Sequence, residues 1–194
     1  MKYVIGIDEA GRGPLAGPVS VGAAMVAHDF DFSRVAGIKD SKILTPAMRD
    51  EWYDKLEALR DEGSLRFAVA FSSAGMIDQR GIVPAIFSAL RRTLVQLKAQ
   101  PKECEVRLDG NLKAPDVFKN QRTIIRGDQT EPVISLAAIA AKVERDRLMM
   151  RLARKYPQYR FEQHKGYGTK LHRSLITEHG FSPLHRTTFC ARIA

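Results

Sequence analysis

Two apolar runs separated by a short, turn-rich loop constrain the amino-terminal part of this chain most: Tyr3 to Ile7, then Val19 to Ala27. The first suits a buried strand, and the second, rich in valine and small residues, can pair with it antiparallel across a loop carrying glycine and proline. Leu65 to Phe71 reads as a third strand, after a helix predicted from about Pro46 with Thr45 as its N-cap and proline in the favoured first turn. In that helix Met48, Trp52, Leu56 and Leu59 recur at helical spacing and predict one core-facing stripe. A second helix is predicted from Ile82 to Gln100, with Ile86, Leu90, Leu94 and Leu97 inward and Arg91, Arg92 and Lys98 mostly toward solvent. Glu105 to Asp109 and Arg122 to Arg126 read as short strands that break at Asp109-Gly110-Asn111 and Gly127-Asp128, so that two strands end on an aspartate. Pro132 to about Tyr156 is a long helical stretch, small and apolar first, then basic through Arg145, Arg147, Arg151, Arg154 and Lys155. Three strands followed by alternating helices and strands predict an α/β domain around a mixed sheet with helices on its faces.

Composition narrows the class. A chain of 194 residues, 44% hydrophobic and 27% charged, suits one folded domain with a full core. Residues 157–194 are expected to form a small helical appendage on it. No apolar stretch approaches the ~18 residues of a membrane span, and Asp8 and Glu9 come too early for a secretory segment, so the expected location is the cytoplasm. Cys104 and Cys190 lie far apart, with no Cys/His set of zinc spacing, and are expected to be reduced and structural. The formal charge of +9 and a pI near 9.8 favour polyanionic partners.

The first strand gives out into Gly6-Ile7-Asp8-Glu9-Ala10-Gly11-Arg12-Gly13-Pro14, two adjacent carboxylates beside a glycine-arginine-glycine turn. A lone Asp-Glu pair is ordinarily an exposed acidic turn. Because side chains alternate faces along a strand, Asp8 and Glu9 can share one site only if the strand ends or bulges there. Asp109 and Asp128 are also expected at strand ends, so four carboxylates from distant parts of the chain can meet. Hard oxygen donors without a Cys/His set favour Mg²⁺ or Mn²⁺ and phosphate chemistry. Such a set is sufficient for a site of two ions.

The segment Gly6 to Val19 resembles the amino-terminal signature of ribonuclease HII, the type 2 ribonuclease H family. Asp40-Ser41-Lys42, Leu108-Asp109-Gly110, Gly127-Asp128, Ala140-Ala141-Lys142-Val143 with Arg145-Asp146-Arg147, His164-Lys165-Gly166-Tyr167-Gly168-Thr169 and Ser182-Pro183-Leu184-His185-Arg186 agree with that family in order and spacing. The resemblance implies a ribonuclease H-like mixed five-stranded sheet flanked by helices, with a carboxy-terminal helical region that helps grip the duplex. It implies that Asp8, Glu9, Asp109 and Asp128 are the catalytic metal ligands, holding two Mg²⁺ or Mn²⁺ ions for hydrolysis that leaves 3′-hydroxyl and 5′-phosphate ends. The implied substrates are RNA-DNA hybrids and duplex DNA cut 5′ to an embedded ribonucleotide. Gly11, Arg12 and Gly13 then contact the ribose 2′-hydroxyl, Tyr167 packs against the neighbouring sugar, and Lys42 and Lys142 approach the backbone phosphates. A monomer with roles in DNA replication and repair is expected.

This sequence departs from the family pattern at Ala138, where a serine is usual, and at Glu144, where a threonine is common before the Arg-Asp pair. Four histidines, His164, His172, His179 and His185, crowd the last part of the chain without metal spacing, and His185 is expected to be structural. A non-cleaving nucleic-acid-binding module would leave the carboxylates unexplained. The related ribonuclease HIII would carry an added amino-terminal domain and a different turn after the Asp-Glu pair.

Overall fold

The protein was described as a computed structural model, which covers residues 1–38 and 44–191. Strand β1 (Tyr3–Ala10) pairs antiparallel with β2 (Val19–Ala27), which pairs antiparallel with β3 (Leu65–Ser72). On its other edge β1 runs parallel to β4 (Cys104–Asp109), and β4 runs parallel to β5 (Gln121–Ile124), giving a five-stranded mixed sheet of order β3-β2-β1-β4-β5. The helices are α1 (Pro46–Asp61), α2 (Ala74–Arg80), α3 (Ile82–Gln96), α4 (Gly127–Thr130), α5 (Pro132–Lys155), α6 (Phe161–His164) and α7 (Lys170–His179).

Two apolar layers enclose the sheet, as strand alternation demands. Ile5, Ile7, Val21, Met25, Val106 and Leu108 face α3, where Ile86, Leu90 and Leu94 meet them. Val4, Ala24 and Val26 face α1 and α5, packing with Leu56, Val133, Leu136 and Ala140. The α5 contact is unusually close: a Cβ on Gly6 would lie 2.1 Å from the Val133 carbonyl oxygen, and one on Gly22 would lie 2.2 Å from that of Ala137. The small-residue first half of α5 thus lets its backbone approach the central strands.

Several expectations shift. The α1 cap is present, with Thr45 Oγ1 accepting the Met48 amide at 3.3 Å, yet the buried stripe is Tyr53, Leu56 and Leu59. Met48 is exposed and Trp52 only partly buried, because the core lies one residue further round the helix. The second predicted helix stops at Gln96, before the left-handed Lys98, and is preceded by the short α2 that periodicity did not reveal. In α5, Arg145 is fully buried rather than part of a solvated basic half. Glu144 accepts the Tyr53 hydroxyl at 2.5 Å, so this family departure ties α5 to α1.

Beyond α5 the chain folds back onto the turn after β1. Ala16, Met149, Tyr159 and Phe161 share one cluster, and Leu15, Ile176 and Cys190 share another. Asp78 of α2 anchors the far end by accepting both the amides and the hydroxyls of Thr187 and Thr188.

Candidate active site

Asp8 and Asp109 occupy the same face of neighbouring parallel strands. Register pairs Ile7 with Leu108, so the next residue on each strand is an aspartate, and alternation turns both toward the layer of α5. The third carboxylate comes from α4. Strand β5 ends at Ile124, earlier than sequence suggests, and Arg126, left-handed at φ 55°, redirects the chain into α4, which carries Asp128. Asp109 Oδ1 accepts the Gly127 amide at 2.7 Å and the Asp128 amide at 3.4 Å. A Cβ on Gly127 would lie 2.6 Å from Ile134 Cδ1, so a larger residue there would have to push the end of that side chain aside. Ser135 secures the other side of the turn by donating its hydroxyl to the Asp128 carbonyl at 2.8 Å.

Oxygens of Asp8, Asp109 and Asp128 lie within 4.8 Å of one another. Asp8 and Asp128 are only 3% and 2% exposed, so three like charges converge in a poorly solvated corner. A hard divalent cation would offset their repulsion, and an all-oxygen donor set matches Mg²⁺ or Mn²⁺. The residues present therefore fit such an ion.

Glu9 is not part of that trio. The expected strand end or bulge is absent on the β2 side, where pairing runs on regularly through Glu9 with Val21 and Ala10 with Ser20. Alternation then directs Glu9 toward the opposite face from Asp8, and its carboxylate pairs with Arg12 at 3.3 Å. Glu9 thereby joins the Asp8-bearing strand to the glycine-arginine-glycine turn.

That turn belongs to a second assembly. Leu15 and Ala16 donate their amides to the Gly166 carbonyl at 2.8 and 3.2 Å, seating the Tyr167 loop directly on the segment after the turn. A Cβ on Gly166 would lie 2.2 Å from the Ala16 carbonyl oxygen, so only glycine permits this approach. Tyr167 is 40% exposed, with Lys142 Nζ 5.6 Å and the Arg145 guanidinium 5.7 Å from its ring centroid. Lys142 pairs with Asp146 at 2.8 Å, and burial pushes its ammonium below the ordinary lysine range. Gly11, Arg12, Gly13, Lys142 and Tyr167 are thus on neighbouring segments, whereas Lys42 lies outside the described residues.

Two arginines that the sequence motifs include, but to which sequence reading gave no role, complete this assembly. Arg145 donates to the carbonyls of Pro18, Lys165 and Ala16. Arg186 donates to those of Gly17, Arg12 and Gly11. Neither has any exposed surface, and an arginine's identity alone gives no sequence signal of that. His164, His172 and His185 are also buried and mutually packed: His185 Nε2 lies 3.1 Å from His172 Nε2, and His164 stacks on His172 at 4.2 Å.

A mixed sheet carrying acidic groups at the ends of its parallel strands defines a nuclease of the ribonuclease H fold. The crystal structure of ribonuclease H2 from Pyrococcus horikoshii OT3 superposes with a TM-score of 0.77 at 26% identity, covering 98% of this chain and 96% of that one. The family description Ribonuclease HII matches residues 5–192, and the chain belongs to the ribonuclease HII family. Ribonuclease HII from Endomicrobium trichonymphae is 41% identical over 186 residues, spanning 96% of this chain and 84% of the relative. That from Fusobacterium nucleatum subsp. nucleatum is 45% identical over 195 residues, spanning 99% and 87%. Among the described residues no helix is long and apolar enough to cross a membrane.

Proposed function

We propose that this enzyme hydrolyses the RNA strand of RNA-DNA hybrids and nicks duplex DNA on the 5′ side of embedded ribonucleotides, leaving 3′-hydroxyl and 5′-phosphate ends. The convergence of Asp8, Asp109 and Asp128 carries this reading, together with the adjoining turn that can approach a sugar closely. These three aspartates would hold two Mg²⁺ or Mn²⁺ ions during turnover, and Glu9 would join them by leaving Arg12 and turning from the opposite face of the strand. Bound ions supply Lewis-acid charge to the scissile phosphate and lower the pKa of a water.

The protein's own part is positioning. Asp109 fixes the turn that bears Asp128, and the register of β1 with β4 fixes Asp8 beside Asp109. Gly11-Arg12-Gly13 reads the ribose 2′-hydroxyl, the group that distinguishes RNA from DNA at that point. The exposed Tyr167 ring packs against the following sugar, while Lys142 and Lys42 meet backbone phosphates. Residues 157–194 grip the duplex, and the protein acts as a cytoplasmic monomer in replication and repair.

The deciding experiment is a labelled duplex with one ribonucleotide, incubated with Mg²⁺ or Mn²⁺ beside an all-DNA control. A single nick 5′ to the ribonucleotide with the control intact supports the reading. Equal cleavage of both, or of neither with either ion, overturns it. Substrates with one and with four ribonucleotides then establish the preference between isolated sites and longer RNA.

A further inference from the structure

Arg186 is an expensive residue to bury. It has no exposed surface, and among the described residues no carboxylate forms an ion pair with it. Its guanidinium instead donates to three main-chain carbonyls: Gly11 at 2.7 Å, Arg12 at 2.9 Å and Gly17 at 3.0 Å. A second buried guanidinium, Arg145, lies against Gly11 so closely that a Cβ there would stand 2.0 Å from its Nε. Two buried cations with no carboxylate partner carry a large desolvation penalty, which the carbonyls they bind offset only in part. What the rigid guanidinium fork adds is a fixed direction for the carbonyls it binds.

That direction has a consequence at the surface. In a trans peptide the N–H points opposite to the C=O, and no cis bond occurs among the described residues. Drawing the Gly11 and Arg12 carbonyls inward therefore turns the Arg12 and Gly13 amides outward, on two residues that are themselves exposed. Successive outward amides make a small cradle for an oxygen atom. Gly13 marks the space above it. A Cβ built on Gly13 meets nothing within 4 Å, so packing inside the protein does not demand glycine there. The close approach of a ligand would.

We propose that Arg186 is the positioning residue for ribonucleotide selectivity: by holding the Gly11 and Arg12 carbonyls it aims the Arg12 and Gly13 amides at the 2′-oxygen of the substrate. This rests on the ribonucleotide-directed activity proposed above. Arg145 backs the same turn from beneath, by packing on Gly11 and by its bonds to Ala16 and Pro18. The buried positive charge adds to the field at the cradle.

The test uses the full chain with Mg²⁺ or Mn²⁺, a single-ribonucleotide duplex as substrate and an uncut all-DNA duplex as competitor. Arg186→Lys keeps the charge but cannot bond three carbonyls at once. It should lower kcat/KM for the ribonucleotide duplex by roughly tenfold to a hundredfold, the scale of a small misplacement of a positioning group. The inhibition constant of the all-DNA competitor should stay within about twofold, since phosphate contacts set duplex affinity. Arg186→Ala should regain part of the ribonucleotide cleavage when methylguanidinium is added, and none with ethylammonium. Unchanged kcat/KM in Arg186→Lys, or parallel losses for substrate and competitor with no guanidinium rescue, would overturn the proposal and make Arg186 a packing residue. Failure of the unaltered protein to cut the ribonucleotide duplex overturns the functional reading itself, before any variant is compared.

Discussion

The Gly127 amide donates to Asp109 Oδ1 at 2.7 Å, so the last residue of β4 holds the turn that delivers Asp128. In the function proposed above this carboxylate has two tasks, ligand and clamp, and they can be separated. Asp109→Asn keeps an acceptor oxygen for Gly127 but removes the charge. Single-turnover cleavage of a ribonucleotide-containing duplex should fall by about a thousandfold or more, the equivalent of several kcal/mol of charge stabilisation. Duplex affinity should persist, because the basic surface is untouched. Retained full turnover would show that Asp109 is not a ligand.

Close approach of α5 to the sheet predicts a stability effect far from any charge. Gly6→Ala would set a methyl 2.1 Å from the Val133 carbonyl oxygen, which is backbone and has no rotamer to yield. Overpacking of this kind costs typically about 1–3 kcal/mol, and moving the α5 amino terminus also displaces the neighbouring Asp128 turn. Urea unfolding should show a lower midpoint with an unchanged slope. An unaltered midpoint would mean that the helix stands further from the sheet.

The buried histidines make stability depend on mild acid. His185 Nδ1 accepts the Ser182 amide, leaving its Nε2–H to donate to His172 Nε2, while His172 Nδ1–H donates to the Tyr167 carbonyl. His164 Nδ1 accepts the Gly166 amide and its Nε2–H donates to the Tyr159 carbonyl. Each ring is therefore neutral, and a further proton would face a donor. Burial pushes His172 and His185 down to about 4 from an ordinary 6.5, with His164 adding repulsion to both and Glu162 and Lys165 flanking His164. The unfolded chain takes up protons first, so the stabilisation is complete above pH 6.5 and is lost as pH falls from there toward 4. Discounted for coupling and partial screening, the loss is on the order of 3 kcal/mol. Thermal midpoints should be flat from pH 7 to about 8.5 and fall between about pH 6.5 and 5, before most carboxylates titrate. A flat profile down to about pH 5 would contradict the assigned proton positions.

Tyr167 offers a ring to solvent with its loop pinned from below. If the ring face packs on a sugar, Tyr167→Phe should cleave within about threefold of the unaltered protein, whereas Tyr167→Ala should lose roughly five- to a hundredfold, the range for a ring packed on a nucleotide. Equal effects of the two changes would instead assign the role to the hydroxyl. Kinetics on one duplex with a ribonucleotide-deoxyribonucleotide junction distinguish them.

Local signals located most of the scaffold. Val19–Ala27, the Thr45 cap and the span of α5 are legible because alternation, capping and small-residue runs act between near neighbours in sequence. Resemblance in ordered motifs likewise named Asp8, Asp109 and Asp128, which the fold brings together. Legibility fails where a residue's environment is supplied from far along the chain. Met48 and Trp52 have helical spacing, but only the position of α5 determines which stripe is covered.

The sequence by itself determined a mixed α/β sheet, a basic protein and an acidic set suited to hard cations, since strand alternation and donor chemistry need no distant partner. Tertiary structure alone decided that Asp8 and Glu9 face opposite layers, because β2 keeps β1 regular through Ala10. It also decided that Arg145 and Arg186 lie beneath the turn rather than in water. Burial of a charge depends on carbonyls that only the folded chain assembles: Arg186 is separated from Gly11 by 175 positions, and no local pattern spans that distance.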